Sequence, residues 1–296
     1  MSNGGFESLQ TQLPLHTRRE HEFDIVNLHA NAIGIFLPFP VALRHLKTIH
    51  SLRQKFMRAI AVIPARLAST RLPQKMLREI ESTPLIGIVY QAVRSSPLLA
   101  EVIVATDSEQ ILEVCRRNGW QAQMTSATHR SGTERIHEIS RRITADVFIN
   151  VQGDEPLTRP EHIATLLDVM NDQVAQVGTL MTPASEVDIP NPNAVKVVTA
   201  ANGRALYFSR STIPFDSDEI RPQYFKHLGL YAYRKAALDR FVELPESTLE
   251  KSERLEQLRF LENGIDIFVG LTAHDTIGVD TEEDFQRAAE IFRKRG

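Results

Sequence analysis

Short apolar runs recur along this chain from Met57 onward. The first of them, residues 59–63, has the length and the β-branched content of a buried strand. Strands are predicted over residues 59–63, 101–107, 120–125, 147–152 and 265–271. Most end at a polar residue or at a glycine or proline, so the pattern predicts strands followed directly by loops.

Segments with helical periodicity lie between these runs. Thr83 and Pro84 predict the cap and the first residue of a helix that ends at Arg94. Further helices are predicted over residues 108–118, 131–143 and 247–263, and after Thr281 as far as Arg293. Strands and helices that alternate over short connections are typical of an α/β fold, with a mostly parallel sheet covered by helices on both faces.

The segment 182–234 has a different character. Strands are predicted at 195–199 and 205–208, on either side of the turn signal Ala201-Asn202-Gly203, and at 227–233. We interpret this segment as an antiparallel subdomain of the domain 58–296. It is expected to cover the functional site, to supply a dimer contact, or both.

Residues 1–57 differ from the remainder. They contain five of the ten histidines and show no sustained helix or strand period. Their histidine spacing matches no metal-ligand pattern, and the segment lacks the features of a secretory signal. We interpret it as a poorly ordered extension or a mis-called start.

Composition narrows the function classes. Apolar residues make up 42% of the chain, charged residues 24%, and the net charge is −3, so the basic excess of a nucleic-acid-binding surface is missing. No apolar run approaches the roughly 20 residues of a membrane helix, which argues against membrane insertion. The single cysteine, Cys115, excludes an internal disulfide and fits a reducing compartment. These observations predict a cytoplasmic protein.

The loop after the first strand is a candidate phosphate site. It carries the cations Arg66, Arg71 and Lys75 and the hydroxyls of Ser69 and Thr70. Ligands of open α/β sheets bind at the carboxyl ends of strands, and small residues allow backbone N–H groups to approach an anion. The alternative is a solvated basic loop.

Two acids are candidate metal ligands. Asp154 follows an apolar strand and the small residue Gly153, and Asp280 lies at the cap position of the last helix. Together they would suit Mg²⁺, which prefers oxygen ligands alongside substrate phosphates. Helix capping is the simpler role for Asp280 and also for Asp107, and Asp216-Ser217-Asp218 is a weaker candidate.

Three further residues have open alternatives. Glu256 points away from the apolar stripe of its predicted helix, so it is solvated, paired with Arg259, or faces a site. His227 fits a hydrogen-bonded structural histidine. Arg210 fits a carboxylate site or a surface ion pair.

Nine collinear motifs between residues 58 and 295 resemble 3-deoxy-manno-octulosonate (KDO) cytidylyltransferases. The motifs are Ile63–Lys75, Val104–Asp107, Ser131–Arg135, Asn150–Pro156, Asn193–Lys196, Ala205–Arg210, His227–Tyr231, Leu255–Arg259 and Gly278–Thr281. The resemblance implies a Rossmann-like nucleotidyltransferase sheet, a homodimer and a role in lipopolysaccharide synthesis. It also implies that CTP and KDO give CMP-KDO and pyrophosphate, by Mg²⁺-assisted in-line attack of the anomeric hydroxyl on the α-phosphate.

The resemblance further implies residue roles. Arg66, Ser69 and Lys75 would hold the triphosphate, with Arg66, Lys75 and Asp154 carrying the catalysis. The remaining implied roles are cytidine binding by Ser131, Gly132 and Gln152, Mg²⁺ binding by Asp154 and Asp280, and a sugar pocket formed by Arg210, His227, Tyr231, Glu256 and Gln257.

Two departures from the family pattern bear on sugar selectivity. Gln74 and Ala232 stand where the family usually has glycine. A positive φ at residue 74 would cost about 1 kcal/mol for a glutamine. A related acid sugar, 8-amino-KDO or sialate, therefore remains an alternative substrate, and a non-catalytic nucleotide-sugar-binding regulator is the alternative of a different class.

Overall fold

A computed structural model describes residues 57–69 and 71–294 of the chain. The predictions for residues 1–56, and for Thr70, lie outside the described residues. Eleven strands are described: β1 (Ala59–Ala65), β2 (Glu79–Ile80), β3 (Thr83–Pro84), β4 (Glu101–Thr106), β5 (Ala122–Met124), β6 (Val147–Asn150), β7 (Val177–Pro183), β8 (Lys196–Thr199), β9 (Ala205–Ser209), β10 (Phe225–Tyr233) and β11 (Ile267–Leu271).

Nine of these strands form one mixed sheet. Its main path runs β11-β7-β10-β6-β1-β4-β5, and β8 joins it through β10 and carries β9 at its edge. β1 is parallel to both β4 and β6, and β11 is parallel to β7. β10 is antiparallel to its neighbours β6, β7 and β8. The predicted α/β class with a mostly parallel centre is confirmed.

The described helices cover the sheet. They are α1 (Leu85–Arg94), α2 (Glu109–Arg117), α3 (Gly132–Ser140), α4 (Pro160–Met170), α5 (Lys235–Glu243), α6 (Thr248–Glu253), α7 (Leu258–Glu262) and α8 (Glu282–Arg293).

Strand alternation divides the core into two layers. Ala59, Ala61 and Ile63 of β1 point into a cluster shared with α1, α2 and α4. Ile60 and Val62 point into a second cluster, shared with α3, α5 and α7. A strand buried on both faces reads as a continuous apolar run, which is why β1 was readable in the sequence.

The start of α1 differs from the prediction. Pro84 is the N-cap residue rather than the first helical residue, and no side chain caps this helix. Thr83 and Pro84 instead form β3, which pairs with β2. Proline is tolerated at both of these positions. The sequence therefore predicted the start of a helix correctly but placed it one residue too early.

The predicted helix 247–263 is two short helices. The capping box of Ser247 and Glu250 opens α6 as expected. The chain then breaks at Arg254, which adopts the left-handed conformation with φ of 53°, and α7 starts a few residues later. The angular argument for Glu256, which assumed one continuous helix, was therefore wrong.

The antiparallel character of segment 182–234 is confirmed. β8 and β9 form a hairpin, and Lys196 of β8 pairs with Lys226 of β10, so the hairpin extends the main sheet. In the parts of the chain that the structure describes, no helix has the length and apolarity to cross a bilayer.

Candidate active site

Lys75 lies between the two acids that the sequence singled out. Its Nζ donates to Asp154 Oδ2 at 2.6 Å and to Asp280 Oδ1 at 3.0 Å, and its side chain is only 8% exposed. The two carboxylate oxygens therefore lie no further apart than the sum of these distances. Two residues that are 126 positions apart in the chain meet at the basic loop, as the sequence reading required.

Parallel strands bring Asp154 to this loop. β1 and β6 are neighbours in register, with Val62 opposite Asn150, so their carboxyl ends open on the same edge of the sheet. Gly153 then lets the backbone pass close to the loop. A Cβ atom at this position would lie 2.9 Å from Met76 Sδ and 3.0 Å from the carbonyl oxygen of Pro64.

Asp280 does not cap the last helix. Thr281 is the N-cap of α8, and its hydroxyl accepts from the N–H of Asp284. The backbone N–H of Val279 donates to the carbonyl of Asp154 at 2.9 Å, which fixes the two acidic segments to each other. Because Thr281 supplies the cap, the carboxylate of Asp280 accepts a hydrogen bond from Lys75 and forms a salt bridge with Arg71 at 2.9 Å.

Burial and the neighbouring charges shift the pKa of Lys75 in opposite directions. Burial lowers the pKa of its ammonium, but the two carboxylates outweigh that effect and raise the pKa overall. The ammonium is therefore charged at neutral pH. Among the described residues, no group of three or more His, Cys, Asp or Glu side chains could hold a metal ion.

Two features of the basic loop concern Arg66 and Gln74. Arg66 Nη2 donates to the carbonyl oxygen of His129 at 2.7 Å and so ties this loop to the segment before α3. Gln74 has φ of 51° and lies in the left-handed region, which is the backbone strain anticipated for a non-glycine residue here. Ser69 is half-buried on the same loop.

A polar cavity of about 310 Å³ lies beside the start of α3. It brings together predicted cytidine-binding and sugar-binding residues in one space. Its lining consists of Arg130, Ser131, Gly132, Thr133, Asn150, Gln152, Tyr231, Tyr233, Glu256, Gln257 and Phe260. The volume is at the lower end of the range of small-molecule sites.

The amino end of α3 shapes this cavity. Ser131 is the N-cap, and its hydroxyl accepts from the N–H of Glu134 at 3.2 Å. Gly132 packs closely on the end of β1, since a Cβ there would be 3.2 Å from Pro64 Cγ and 3.4 Å from Gln152 Nε2. The close packing places the backbone of the helix start against the cavity.

Glu256 faces this cavity, where it is partly exposed, and its carboxylate is not the hydrogen-bond partner of Arg259. Its carboxylate accepts from the hydroxyls of Thr133 and Ser131. Burial raises its pKa, and the two hydroxyl bonds offset only part of that effect. Arg259 pairs instead with Glu250 through a two-bond contact.

Gln257 offers a donor without a partner. Its side chain lines the cavity, the residue is 5% exposed, and Nε2 makes no hydrogen bond to any described residue. A buried amide donor left unpaired costs about 1–3 kcal/mol, so an acceptor entering the cavity would relieve that cost. Such an acceptor would be an oxygen of a ligand.

Arg210 and His227 do not line this cavity. Arg210 donates to the backbone carbonyls of Glu253 at 2.8 Å, Pro192 at 3.0 Å and Arg254 at 3.5 Å, so its guanidinium holds the break between α6 and α7. The surface ion pair considered from the sequence is wrong. Its sugar contact stays a prediction.

His227 is a buried histidine with a hydroxyl partner. Its Nε2 contacts Thr179 Oγ1 at 2.9 Å, and its ring packs against those of Phe208 and Tyr231. Burial lowers the pKa of its imidazole to about 3, so the ring is neutral. The structural interpretation of this histidine is confirmed, and its contact with a sugar stays a prediction.

Ala232 belongs to the core rather than to the cavity. It pairs with Ile149 in the sheet and contributes to the core layer that contains α1. Its neighbours Tyr231 and Tyr233 point to the opposite face and line the cavity. A methyl group at this position therefore does not alter the cavity wall directly.

Two other acidic residues, Asp107 and Asp216, stabilise the local structure. Asp107 pairs with the buried guanidinium of Arg135 at 2.8 Å, and Ser108 rather than Asp107 caps α2. The carboxylate of Asp216 accepts from the N–H groups of Ile220 and Arg221 at 2.9 Å each and thereby fixes its own loop.

Sequence reasoning did not identify several of the lining residues. Thr133 and Asn150 lie inside quoted motifs, but their types carry no specific chemical signal. Tyr233 had a usable signal, because it lies two residues after Tyr231 on the same strand face and stacks on it with ring centroids 5.7 Å apart.

A basic loop at the end of a strand, opposed by two acids and beside a polar cavity, is the arrangement of a nucleotidyltransferase type of site. Comparison with known proteins supports this class of site. The model of the cytidylyltransferase family matches residues 60–267, and the chain belongs to that family.

Two named relatives and one solved structure show which cytidylyltransferases this chain is similar to. The 3-deoxy-manno-octulosonate cytidylyltransferase of Koribacter versatilis is 62% identical over 240 residues, which cover 81% of this chain and 92% of that protein. That of Acidobacterium capsulatum is 53% identical, with 81% and 98% covered. The structure of CMP:2-keto-3-deoxy-manno-octonic acid synthetase with CTP superimposes with a TM-score of 0.78 at 40% identity and covers 81% of this chain and all of that one. The resemblance to the KDO cytidylyltransferases is confirmed.

Proposed function

We propose that this chain transfers the cytidylyl group of CTP to KDO, giving CMP-KDO and pyrophosphate for lipopolysaccharide synthesis. One observation carries the proposal: a relative named for this activity is 62% identical over 92% of its own length. The contacts of Lys75 with Asp154 and Asp280 support it, because they supply the charged groups that phosphoryl chemistry requires.

The residues of the basic loop would act on the phosphates. The anomeric hydroxyl of the sugar would attack the α-phosphorus and lose its proton to water, the bond to the β-phosphate would break, and pyrophosphate would leave with the electron pair. Arg66 and Lys75 would stabilise the charge that builds on the departing pyrophosphate, with Ser69 as a hydroxyl donor. Ser131, Gly132 and Gln152 would bind the cytidine, and Tyr231, Glu256 and Gln257 the sugar, with Arg210 and His227 near it.

The acids fit a magnesium ion. Asp154 and Asp280 present hard oxygen donors at one point, and Mg²⁺ is commonly held by one or two carboxylates together with waters and substrate phosphates. A bound Mg²⁺ would polarise the α-phosphate and lower the pKa of the attacking hydroxyl. In the protein alone, Lys75 occupies the contact with both carboxylates.

We further propose a cytoplasmic homodimer. The segment 182–234 exposes large apolar side chains, with Phe215 87% exposed and Ile220 77% exposed. A contact with a second subunit would remove these apolar groups from water. Cys115 is free and buried, which fits a reducing compartment.

A panel of acceptor sugars tests the activity. Purified protein is given CTP, Mg²⁺ and KDO, 8-amino-KDO or sialate, and pyrophosphate release is measured for each. We expect turnover with KDO to exceed turnover with the other two by an order of magnitude or more, since loss of a matched polar contact costs on that scale. A preference for another sugar would refute the KDO assignment, and no release with any sugar would favour a binding regulator.

A further inference from the structure

One continuous hydrogen-bonded chain runs through the wall of the polar cavity, formed by Gln152, Asn150, Tyr233, Thr133 and Glu256. Gln152 Nε2 donates to Asn150 Oδ1 at 3.2 Å. The hydroxyl of Tyr233 is hydrogen-bonded to the side chains of Asn150 and Thr133. The hydroxyl of Thr133 in turn donates to Glu256. The chain therefore connects Gln152, proposed to bind the cytidine, with Glu256, proposed to bind the sugar.

The donors and acceptors of this chain have one consistent order. A carboxylate has no proton, so Glu256 can only accept, and Thr133 gives its single hydroxyl proton to it. The oxygen of Thr133 must then accept from the hydroxyl of Tyr233, which leaves the Tyr233 oxygen to accept from the amide nitrogen of Asn150. The carbonyl oxygen of Asn150 is left to accept from Gln152, and the structure shows that contact.

Water has little access to the middle of this chain. Asn150, Thr133 and Tyr233 are each 2% exposed or less. The backbone of Asn150 is fixed as well, because it pairs with Val62 of β1 and with Tyr231 of β10. Reversing one link would leave a buried polar group without a partner, which is unfavourable, so the order of donors is maintained.

The order of the chain decides which atom Gln152 presents to a ligand. Its amide nitrogen is turned toward Asn150, which leaves its carbonyl oxygen as the acceptor available in the cavity. An oxygen acceptor matches a donor group of a nucleoside. A cytidine nucleotide has two kinds of such donor, the amino group of cytosine and the hydroxyls of the ribose.

We propose that the hydroxyl of Tyr233 fixes the amide of Gln152, through Asn150, for a donor group of the bound nucleoside. Tyr233 is thus a positioning residue for nucleotide binding and acts without a contact of its hydroxyl with the nucleotide. The proposal rests on the proposed function, because it assumes that a cytidine nucleotide binds beside Gln152.

The test compares Tyr233→Phe, which removes the hydroxyl and keeps the ring, with the natural protein. Binding of CTP is measured by calorimetry with Mg²⁺ and without a sugar, so that no turnover occurs. One neutral hydrogen bond changes affinity about 2- to 10-fold. We expect the Kd for CTP to rise by about that factor, because the amides of Asn150 and Gln152 lose their fixed order.

Two comparisons separate positioning from a general loss of structure. Tyr90→Phe removes the hydroxyl of another buried tyrosine, which accepts from the N–H of Gln121 at 3.2 Å and does not line this cavity. The Kd for CTP should be unchanged in this control. In Gln152→Ala, the side chain through which Tyr233 acts is missing, so adding Tyr233→Phe should change the Kd by less than about 1.5-fold.

Two analogues of CTP identify the donor that Gln152 meets. UTP lacks the amino group of cytosine, and 2′,3′-dideoxy-CTP lacks both ribose hydroxyls. With the analogue that lacks the matching donor, the tighter binding of the natural protein relative to Tyr233→Phe should disappear. With the other analogue, the difference should remain.

Four results would overturn the proposal. They are an unchanged Kd for CTP in Tyr233→Phe, an equal loss in Tyr90→Phe, additive losses when Tyr233→Phe is combined with Gln152→Ala, and a difference that persists with both analogues. If the natural protein itself did not bind CTP, the failure would instead lie with the proposed function.

Discussion

Removing the ammonium of Lys75 should weaken the fold and open a metal site. Lys75→Gln leaves the carboxylates of Asp154 and Asp280 facing each other without the cation that now contacts both. Removing one partner of a buried ion pair costs about 3–5 kcal/mol. Asp154 is 25% exposed, Asp280 is 45% exposed and Arg71 remains on Asp280, so water and a second cation reduce the loss to about 2 kcal/mol.

Chemical denaturation and metal titration measure the two effects. At about 3 kcal/mol per molar urea, a loss of this size lowers the unfolding midpoint by roughly 0.7 M. Mn²⁺, which takes the same oxygen ligands, should bind Lys75→Gln without CTP and be detected by electron paramagnetic resonance. At ten times its Kd it should restore about 1.4 kcal/mol of unfolding free energy. The natural protein should bind Mn²⁺ far more weakly until CTP is added.

The double variant Lys75→Gln with Asp154→Asn is the matched control, since it removes one of the two carboxylates and should lose the Mn²⁺ signal. Equal midpoints for Lys75→Gln and the natural protein, together with equal Mn²⁺ binding in the absence of CTP, would refute the reasoning that Lys75 neutralises a potential metal site.

Three other predictions concern single residues. Asp154→Asn should reduce turnover about 10²-fold or more, whereas Asp216→Asn, a loop acid, should not, and near-normal turnover of Asp154→Asn would reject its catalytic role. Gln74→Gly should raise the free energy of unfolding in denaturation by up to about 1 kcal/mol, because it removes left-handed strain; no gain would mean that this strain is absent. His227 has a folded pKa lowered to about 3 against about 6.5 when unfolded, so only the unfolded state takes the proton between these values. The natural protein should therefore lose stability relative to His227→Gln as pH falls from 6.5 toward 4, by about 1.4 kcal/mol per pH unit, and a constant difference in urea denaturation would contradict this.

The strands could be predicted because the sequence patterns that mark them are local. β1 is buried on both faces and reads as an uninterrupted apolar run. Helices that open on Ser108, Ser131 and Ser247 carried capping signals that the structure confirms. Helices α4 and α5 have arginines, Arg159 and Arg234, at their N-cap positions, so they lack a capping signal of this kind, and Pro160 at the first position of α4 is a start signal that the sequence analysis did not use.

The pairing of Asp154 with Asp280 required more than local pattern. The strand-end position of Asp154 follows from the periodicity, and Asp280 was a candidate from its position before the last helix, but only the family motifs implied that the two acids meet. The break at Arg254 could not be foreseen, because a left-handed conformation is usually signalled by glycine or asparagine and here falls on an arginine. That break is stabilised by the carbonyl contacts of Arg210, which are tertiary and leave no trace in local sequence.

The bond from Arg66 to the carbonyl of His129 has a consequence for how a nucleotide would be accommodated. One end of this bond belongs to the turn after β1, and the other lies two residues before Ser131. A displacement of the turn by an incoming polyanion would act, through this 2.7 Å contact, on the segment that leads into the lining of the neighbouring cavity. Occupancy at one end of a long substrate would thus adjust the fit at its other end.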